Sequence, residues 1–507
     1  MERGEQRKLS SPHVWVASTY FAEGYPYTVV NTLAEVLFKE LGASLKAIGL
    51  TALLHLPWNL KFLWGPFLDR YATKRAWLLW MEVAIVALIL TLGLAVSLPN
   101  VLLLASVAFL LLAFVSATHD IAIDGYYLEA LDKEGQSRFV GYRVTAYRVA
   151  MLVVSGPLVV LIGWTGWPVG FLLVGGVMAV VLLYHARWLP RVEQPGLPPV
   201  ELVRAACRWQ TAAGLVGLSV LVLAGWVAWS LDPVQAMRAR VLEAIPVLHK
   251  ISVSEWIALA FLGVLLAILA AQGPIRRWIQ ARDSFYAAAF VDFLAQKHVG
   301  RILAFVVLFR AGESFLLKMR YAFLRDIGMT MEQFGVAGGT VGVIASLTAT
   351  MLGGYLIGRD GLEKWLWPFV LMQNVLQLLY MGVAYYYVDL GHATPDTLNF
   401  TLLTVVITVE AFGAGLGTAV FMVYMMRCCR PGYKAAHMAI LTALMSVSFT
   451  LAGVASGFLA EWMGYTLYFG FTFLAAVPGM LLLFFIPYLD GTTAADLDPA
   501  ALREEEP

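Results

Sequence analysis

The chain has 507 residues, of which 60% are apolar and 14% charged, against roughly 45–50% and about 25% in an ordinary soluble domain. With 35 basic and 34 acidic side chains and a formal net charge of +1, it has neither the polar shell of a water-soluble globule nor a charged face for nucleic acid. Lipid is therefore the expected solvent for most of it.

A helix crossing about 30 Å of hydrocarbon needs roughly 20 mostly apolar residues, and runs of that kind predict about fourteen spans. They lie at about 13–37, 45–67, 76–98, 101–130, 137–163, 166–188, 209–230, 252–272, 300–323, 331–357, 364–388, 397–426, 434–458 and 463–488. The runs are continuous rather than alternating, so the fold class is an all-α polytopic membrane protein. The expected organisation is an N-terminal six-helix bundle at 1–190, cytoplasmic linkers with a two-helix insert at 191–299, a C-terminal six-helix bundle at 300–490 and an acidic tail at 491–507.

No cleavable signal is expected, because the first span follows the charged stretch Met1–Lys8 and carries Glu23 and Pro26. With the N-terminus inside, about 24 Lys and Arg fall on cytoplasmic segments, about 6 on outer loops and about 5 within spans, which orients both termini to the cytoplasm. Cys207, Cys428 and Cys429 then lie at or near the cytoplasm and read as reduced thiols.

An ionisable side chain near mid-bilayer costs at least ~2.5–3.5 kcal/mol on insertion scales, so each is a functional candidate. On the first span Tyr20, Glu23, Tyr27 and Asn31 share one helical stripe. The rings suit sugar faces, Asn31 suits oriented hydrogen bonds, and Glu23 suits proton binding; the competing reading of Glu23 is a paired packing carboxylate. Lys61 on the second span reads equally as substrate contact or snorkelling anchor. The fourth span carries His119, Asp120 and Asp124, the two carboxylates four residues apart. Such a pair needs a cation, and Arg148 or Arg143 on the fifth span is expected between them. Asp120 reads as proton site or gate; Asp69, Arg70, Asp124 and Arg143 read as a cytoplasmic gate.

The insert carries little midplane charge. Arg204 and Arg208 at its entry and Arg276, Arg277 and Arg282 at its exit suit cytoplasmic headgroups, with the insert packed outside the bundles. In the next span Arg310 and Glu313 lie three residues apart and are expected to pair, with Arg310 able to hold a substrate carboxylate and Glu313 a proton. Lys318 and Arg320 are expected to snorkel toward the outer headgroups. Asn374 and Gln377 read as substrate amides or as a pair satisfying each other between helices. Glu410 is a proton candidate beside Gly413, Gly415 and Gly417, a stripe that reads as helix packing.

Laid side by side, the spans show an internal repeat. Phe38-Lys39-Glu40-Leu41-Gly42-Ala43-Ser44, followed by Gly49, returns as Leu324-Arg325-Asp326-Ile327-Gly328-Met329-Thr330, followed by Gly335. Glu23 and Glu313 lie upstream of the two copies; Asp69-Arg70 and Arg359-Asp360 lie downstream. Both copies run in the same sense, as parallel repeats do.

The turn Gly65-Pro66-Phe67-Leu68-Asp69-Arg70 with Lys74-Arg75 resembles the loop signature of the major facilitator superfamily, with Ala72 and Thr73 where that signature has Gly and Arg. Ile48-Gly49-Leu50 through Leu60-Lys61-Phe62-Leu63-Trp64-Gly65-Pro66, Ser116-Ala117-Thr118-His119-Asp120-Ile121 and Glu410-Ala411-Phe412-Gly413-Ala414-Gly415 are similar to the AmpG-type muropeptide permease family, which has an acetyl-CoA transporter relative. The resemblance covers both halves and not the insert or tail. It implies alternating access in the cytoplasmic (inner) membrane, with import of anionic sugar-peptide fragments of the cell wall. It also implies the proton as coupling ion and no other cofactor or metal. Acetyl-CoA, a nucleotide or a small peptide is the alternative cargo.

An enzymatic reading is weaker. Asp120 and Asp124 have the spacing of a magnesium site in a membrane prenyltransferase, but no second acidic cluster faces them in the sequence pattern. The zincin, Walker and nucleophile-elbow motifs are absent from the sequence.

Overall fold

The computed structural model describes residues 10–61, 64–191, 197–198, 200–201, 204, 252–270, 285–393, 397–430, 433–490 and 492–494. Among these the chain is helical without named strands, apart from one isolated bridge between Tyr71 and Leu197. Helix is present at each expected span that falls on described residues; 209–230, Cys207, Arg208, Arg276, Arg277 and Arg282 lie outside them. Among the described residues, eight helices are long and apolar enough to cross a membrane. The last of these, Lys434–Leu482, is broken at Gly464 (φ 74°) into two helical lengths.

The polar spans are the irregular ones. The first runs as Pro12–Thr28, a π-helical stretch Val29–Leu33 and Ala34–Glu40. Pro26 lies just before the π stretch and removes a donor from the ladder. The second runs as Leu45–Leu50, a 3-10 stretch Thr51–His55 and Leu56–Leu60. The first span after the insert is broken into Val299–Leu308 and Ala311–Asp326, with Arg310 (φ −100°, ψ 10°) at the break.

Helices between 12 and 188 pack on one another, as do those between 299 and 482, and the two sets meet along restricted seams. The second span lies against the part of Lys434–Leu482 around Gly453 and Gly457, where a Cβ on Gly49 would come within 2.9 Å of the Gly457 nitrogen. The π-helical stretches Val154–Leu158 and Gly335–Gly342 form the other seam, joined by Ser155 Oγ donating to the Gly339 carbonyl at 3.2 Å.

The repeat is visible as geometry. Gly42 (φ 75°) and Gly328 (φ 105°) end equivalent helices in the left-handed region. Each closes with the same bonds, Ala43 N to Phe38 O at 2.9 Å and Met329 N to Leu324 O at 3.0 Å. Ser44 and Thr330 then cap the helices that follow. The copies pair reciprocally across the halves: Lys39 with Asp326 at 2.5 Å, and Arg325 with Glu40 at 2.6 Å. At the opposite end, the ion pairs of Lys74 with Asp69, Arg143 with Asp124, Arg359 and Lys364 with Asp360, and Arg430 with Asp292 do not join the halves.

The insert is tied to the closed end. Val253–Ala270 packs on Leu45–Leu50, and Lys46 Nζ lies 3.1 Å from both Glu255 of the insert and Glu461 of the second half. Most of this helix is exposed, as in Val253, Leu262 and Val264, so it lies at the periphery, with its Glu255 sharing a cation with the seam. Arg204 pairs with Glu201 instead of standing free for headgroups.

Candidate functional site

The first span supplies the site's spine. Gly24 lets it approach the fifth span closely, since a Cβ there would come within 2.7 Å of the Tyr147 carbonyl. Glu23 is buried and its Oε2 has no hydrogen-bond partner. Tyr27 packs edge-on against His55 (5.6 Å) and Trp58 (5.1 Å), with Tyr147 at 5.9 Å. Asn31 donates to the Tyr27 carbonyl at 2.9 Å and offers Oδ1 to His55 Nδ1 at 3.2 Å. Phe449 of the second half reaches His55 at 6.0 Å, so this ring cluster borders both halves.

Asp124 receives two donors, Tyr20 Oη at 2.9 Å and an Arg143 nitrogen at 3.0 Å, while the Arg143 guanidinium sits 4.6 Å above the Tyr20 ring. Asp120 is buried, with Lys61 Nζ 3.6 Å from Oδ2 and no partner on Oδ1. Arg143 thus takes Asp124 as expected, but Arg148 does not lie between the carboxylates. Five residues on from Arg143, it is turned about 140° around the helix. Its guanidinium meets Met151 Sδ at 3.7 Å and lies in electrostatic range of Arg310, Tyr27 and Tyr147. Asp69 holds Lys74 at 2.5 Å and Arg70 lies over the Tyr71 ring at 5.7 Å, so the four gate residues form two separate groups.

In the second half Arg310 and Glu313 pair directly, as their spacing predicts, and Gln373 donates to the other oxygen of Glu313 at 3.3 Å. Asn374 and Gln377 are both buried and donate along their own helix, Gln377 to Asn374 Oδ1 at 3.4 Å and Asn374 to the Val370 carbonyl at 2.9 Å, while Gln377 Oε1 has no hydrogen-bond partner. The Gly413–Gly417 stripe is packing, with Met372 and Ser346 carbonyls and the Gln373 side chain against it.

Lys318 and Arg320 are also corrected. Neither snorkels: the Lys318 side chain is 4% exposed and pairs with Glu35 of the first half at 3.3 Å. Arg320 lies 3.7 Å from Glu410. A buried carboxylate in reach outweighs the headgroup region for a cation already desolvated by neighbouring helices. Glu35 escaped the sequence reading although it continues the stripe, four residues beyond Asn31. A second cluster also went unread: Glu82 accepts from His185 at 2.5 Å, has His119 at 3.6 Å, and His185 reaches Ser18 at 2.9 Å, with Glu82 and both imidazoles fully buried. Three polar residues at three separate apolar spans gave no local pattern to read.

The sequence profile of the Major Facilitator Superfamily matches residues 16–296. The chain belongs to this superfamily. It is 27% identical over 483 residues, 93% of each chain, to an uncharacterized protein of Haemophilus influenzae. It is 23% identical over 471 residues to the anhydromuropeptide permease of Escherichia coli strain K12, covering 91% of this chain and 77% of that one. A putative transporter AmpG 4 of Rickettsia conorii is 23% identical, covering 91% and 93%. Among solved structures, a peptide transporter POT in complex with sulfate superposes with a TM-score of 0.61 at 14% identity, covering 95% of each chain. A POT family transporter with a thioalcohol-conjugated peptide gives 0.61 at 16%, covering 94% and 96%. Fold and relatives together make this a multi-pass membrane transporter similar to AmpG-type permeases.

Proposed function

We propose that the protein imports anhydromuropeptides across the cytoplasmic membrane by alternating access, driven by the proton gradient. The carrying observation is that Arg148 and Arg310, one from each half, lie in electrostatic range of each other and of Tyr27, which packs in a cluster of rings. Arg310 already has Glu313, whereas the Arg148 guanidinium meets Met151 Sδ. An anionic cargo bridging them would gain charge-assisted hydrogen bonds to both halves at once, so its binding would favour the halves moving together.

The neighbouring chemistry suits a sugar-peptide. Tyr27, Trp58 and Tyr147 are each partly exposed and offer faces and edges for sugar rings. Asn59, which approaches Thr450 of the other half at 3.5 Å, adds an amide at the same depth. Glu23 and Asp120, each with one carboxyl oxygen unpartnered, are proton-binding candidates, together with Glu313 and Glu410. In the proposed orientation both termini are cytoplasmic and the reciprocal pairs close the outer face, so the described conformation is inward-facing.

Uptake of labelled anhydromuropeptide into proteoliposomes, against acetyl-CoA and a tripeptide, with and without an imposed pH gradient, tests the proposal. Gradient-dependent accumulation of the anhydromuropeptide alone supports it. Gradient-independent flux removes the proton drive, and preferential acetyl-CoA uptake removes the cargo.

A further inference from the structure

The four carboxylates put forward above share a property. Glu23 and Asp120 lie among groups of the first half, and Glu313 and Glu410 pair with Arg310 and Arg320 of the second. Protonating any of them alters no direct ion pair between the halves among the described residues. A proton that drives alternating access must change the free energy of one arrangement of the halves relative to the other.

Glu35 is placed to do that. Lys318 Nζ donates to Thr51 Oγ1 at 2.5 Å and lies 3.3 Å from Glu35 Oε2, so a first-half carboxylate and hydroxyl hold a second-half ammonium. Their side chains are 4% and 12% exposed, while the other pairs crossing the halves, on Lys39, Lys46 and Arg325, each have at least one member exposed to 40% or more. The groups facing Glu35 from the packed helices are Lys318, Arg320 and Tyr321 of Ala311–Asp326, Thr51 of the second span and Tyr468 near the C-terminal end. His55 of the second span faces Lys318. Glu410 balances Arg320. With both carboxylates ionised, the cluster of Glu35, Glu410, Lys318 and Arg320 is electrically neutral.

We propose that Glu35 is the proton-binding carboxylate of the transport cycle, and that its pair with Lys318 is the lock between the halves that protonation releases. This rests on the reading of proton-coupled import. An ionised pair held in low dielectric is costly to separate because each charge is left uncompensated. A proton on Glu35 removes the carboxylate charge, and Lys318 is then free to hydrate as the outer end opens. The same proton leaves the cluster with one surplus positive charge on the side where Arg148 and Arg310 await an anion, so proton and anionic cargo favour each other's binding.

The test uses the full chain with Glu35→Gln and, as a second variant, Glu35→Gln combined with Lys318→Met, which leaves no buried charge unpaired. In proteoliposomes with labelled anhydromuropeptide, both variants are expected to keep equilibrium exchange within about twofold of wild type and to lose gradient-driven accumulation at least tenfold. In parallel, spin labels at Leu98 and Leu390, both exposed near the closed end, report opening without any cargo. The wild-type distance distribution is expected to shift with pH, and that shift is expected to vanish in both variants. Accumulation or a pH-dependent distance retained in either variant, alongside a gradient-dependent wild type, overturns the assignment of Glu35 and leaves the transport reading standing. A wild type indifferent to the gradient overturns both.

Discussion

Glu40 and Arg325 face each other across the halves, with Arg325 Nε 2.6 Å from Oε1 and a second guanidinium nitrogen 3.2 Å from Oε2, while Tyr321 donates to the same Oε1 at 2.7 Å. The neighbouring pair, Lys39 with Asp326, has the opposite polarity. Each copy of the repeat therefore contributes one cation and one anion, and each finds its complement in the other copy. Two copies of a basic-acidic dipeptide brought together antiparallel give this arrangement at once, and it adds to the buried Glu35–Lys318 pair and to Lys46 with Glu461 in holding this end closed.

The two pairs should contribute unequally. Asp326 is 42% exposed, and a pair of that kind is worth below about 1 kcal/mol. Both carboxylates also accept from a tyrosine, Asp326 from Tyr465 at 2.6 Å and Glu40 from Tyr321 at 2.7 Å, so the bidentate geometry is what should raise the Glu40–Arg325 pair to about 1–3 kcal/mol. Glu40→Gln should therefore open the closed end markedly more than Lys39→Met, measured as the populations of a label-pair distance distribution. The exchange Glu40→Arg with Arg325→Glu should recover most of the closed population, and a double variant as open as either single would show that the pairing is incidental.

The repeat was legible because its consequence is local: a glycine at the helix end, a capping hydroxyl and a charged dipeptide recur in register. Arg310 with Glu313 was legible for the same reason, being one turn apart. What the sequence concealed was partnership between distant spans. Lys318 and Arg320 looked like mouth residues because nothing in their own helix answers them, and their carboxylates are Glu35, some 280 residues away, and Glu410. Arg148 or Arg143 is expected from the sequence between Asp120 and Asp124; Arg143 takes Asp124, whereas Arg148, turned about 140° further around the helix, lies in electrostatic range of Arg310. Asn374 and Gln377 are polar at mid-membrane and both donate within one helix, while Gln377 Oε1 is left without a hydrogen-bond partner.

Ala72 carries a cost that its neighbours explain. It sits at φ 57°, in the left-handed region, where the superfamily signature has glycine, and its N–H donates to the Leu197 carbonyl at 2.8 Å. An L-residue is disfavoured there by roughly 1–2 kcal/mol. Ala72→Gly should stabilise the protein by up to about 1 kcal/mol, allowing for the added freedom of the unfolded chain. A raised Tm in detergent checks this, and a lowered one would mean that the methyl group packs usefully. Thr73, which replaces the signature's arginine, caps the next helix by accepting from Ala76 N at 3.1 Å.

The Glu82 cluster should be a strong determinant of stability. Glu82, His119 and His185 are each fully buried, and His185 links the third and sixth spans to Ser18 of the first. Removing the carboxylate leaves buried polar partners without an acceptor, which costs about 1–3 kcal/mol for each group left unsatisfied. Glu82→Leu should lower Tm steeply, while Arg204→Ala, on a pair whose arginine is 69% exposed, should change it by no more than about 0.5 kcal/mol equivalent. Similar small shifts for both would show that the cluster is held mainly by the surrounding apolar packing.

Arg148 and Arg310 can be separated by conservative substitution. Lysine keeps the charge and loses the planar fork, so a bidentate carboxylate contact weakens while a diffuse electrostatic contribution survives. Arg310→Lys also loosens Glu313 and Gln373, so its effect mixes binding with the packing of the second half. Arg148→Lys is the cleaner probe, because the residue's hydrogen bond is to the weak acceptor Met151 Sδ. It should weaken binding of an anionic sugar-peptide by about tenfold, near 1.4 kcal/mol, and that of the same ligand with its carboxylates amidated by less than about twofold. Titration calorimetry on the purified protein measures both. Equal losses for the two ligands would place Arg148 in the scaffold, and the anion would then have to be held from the second half alone.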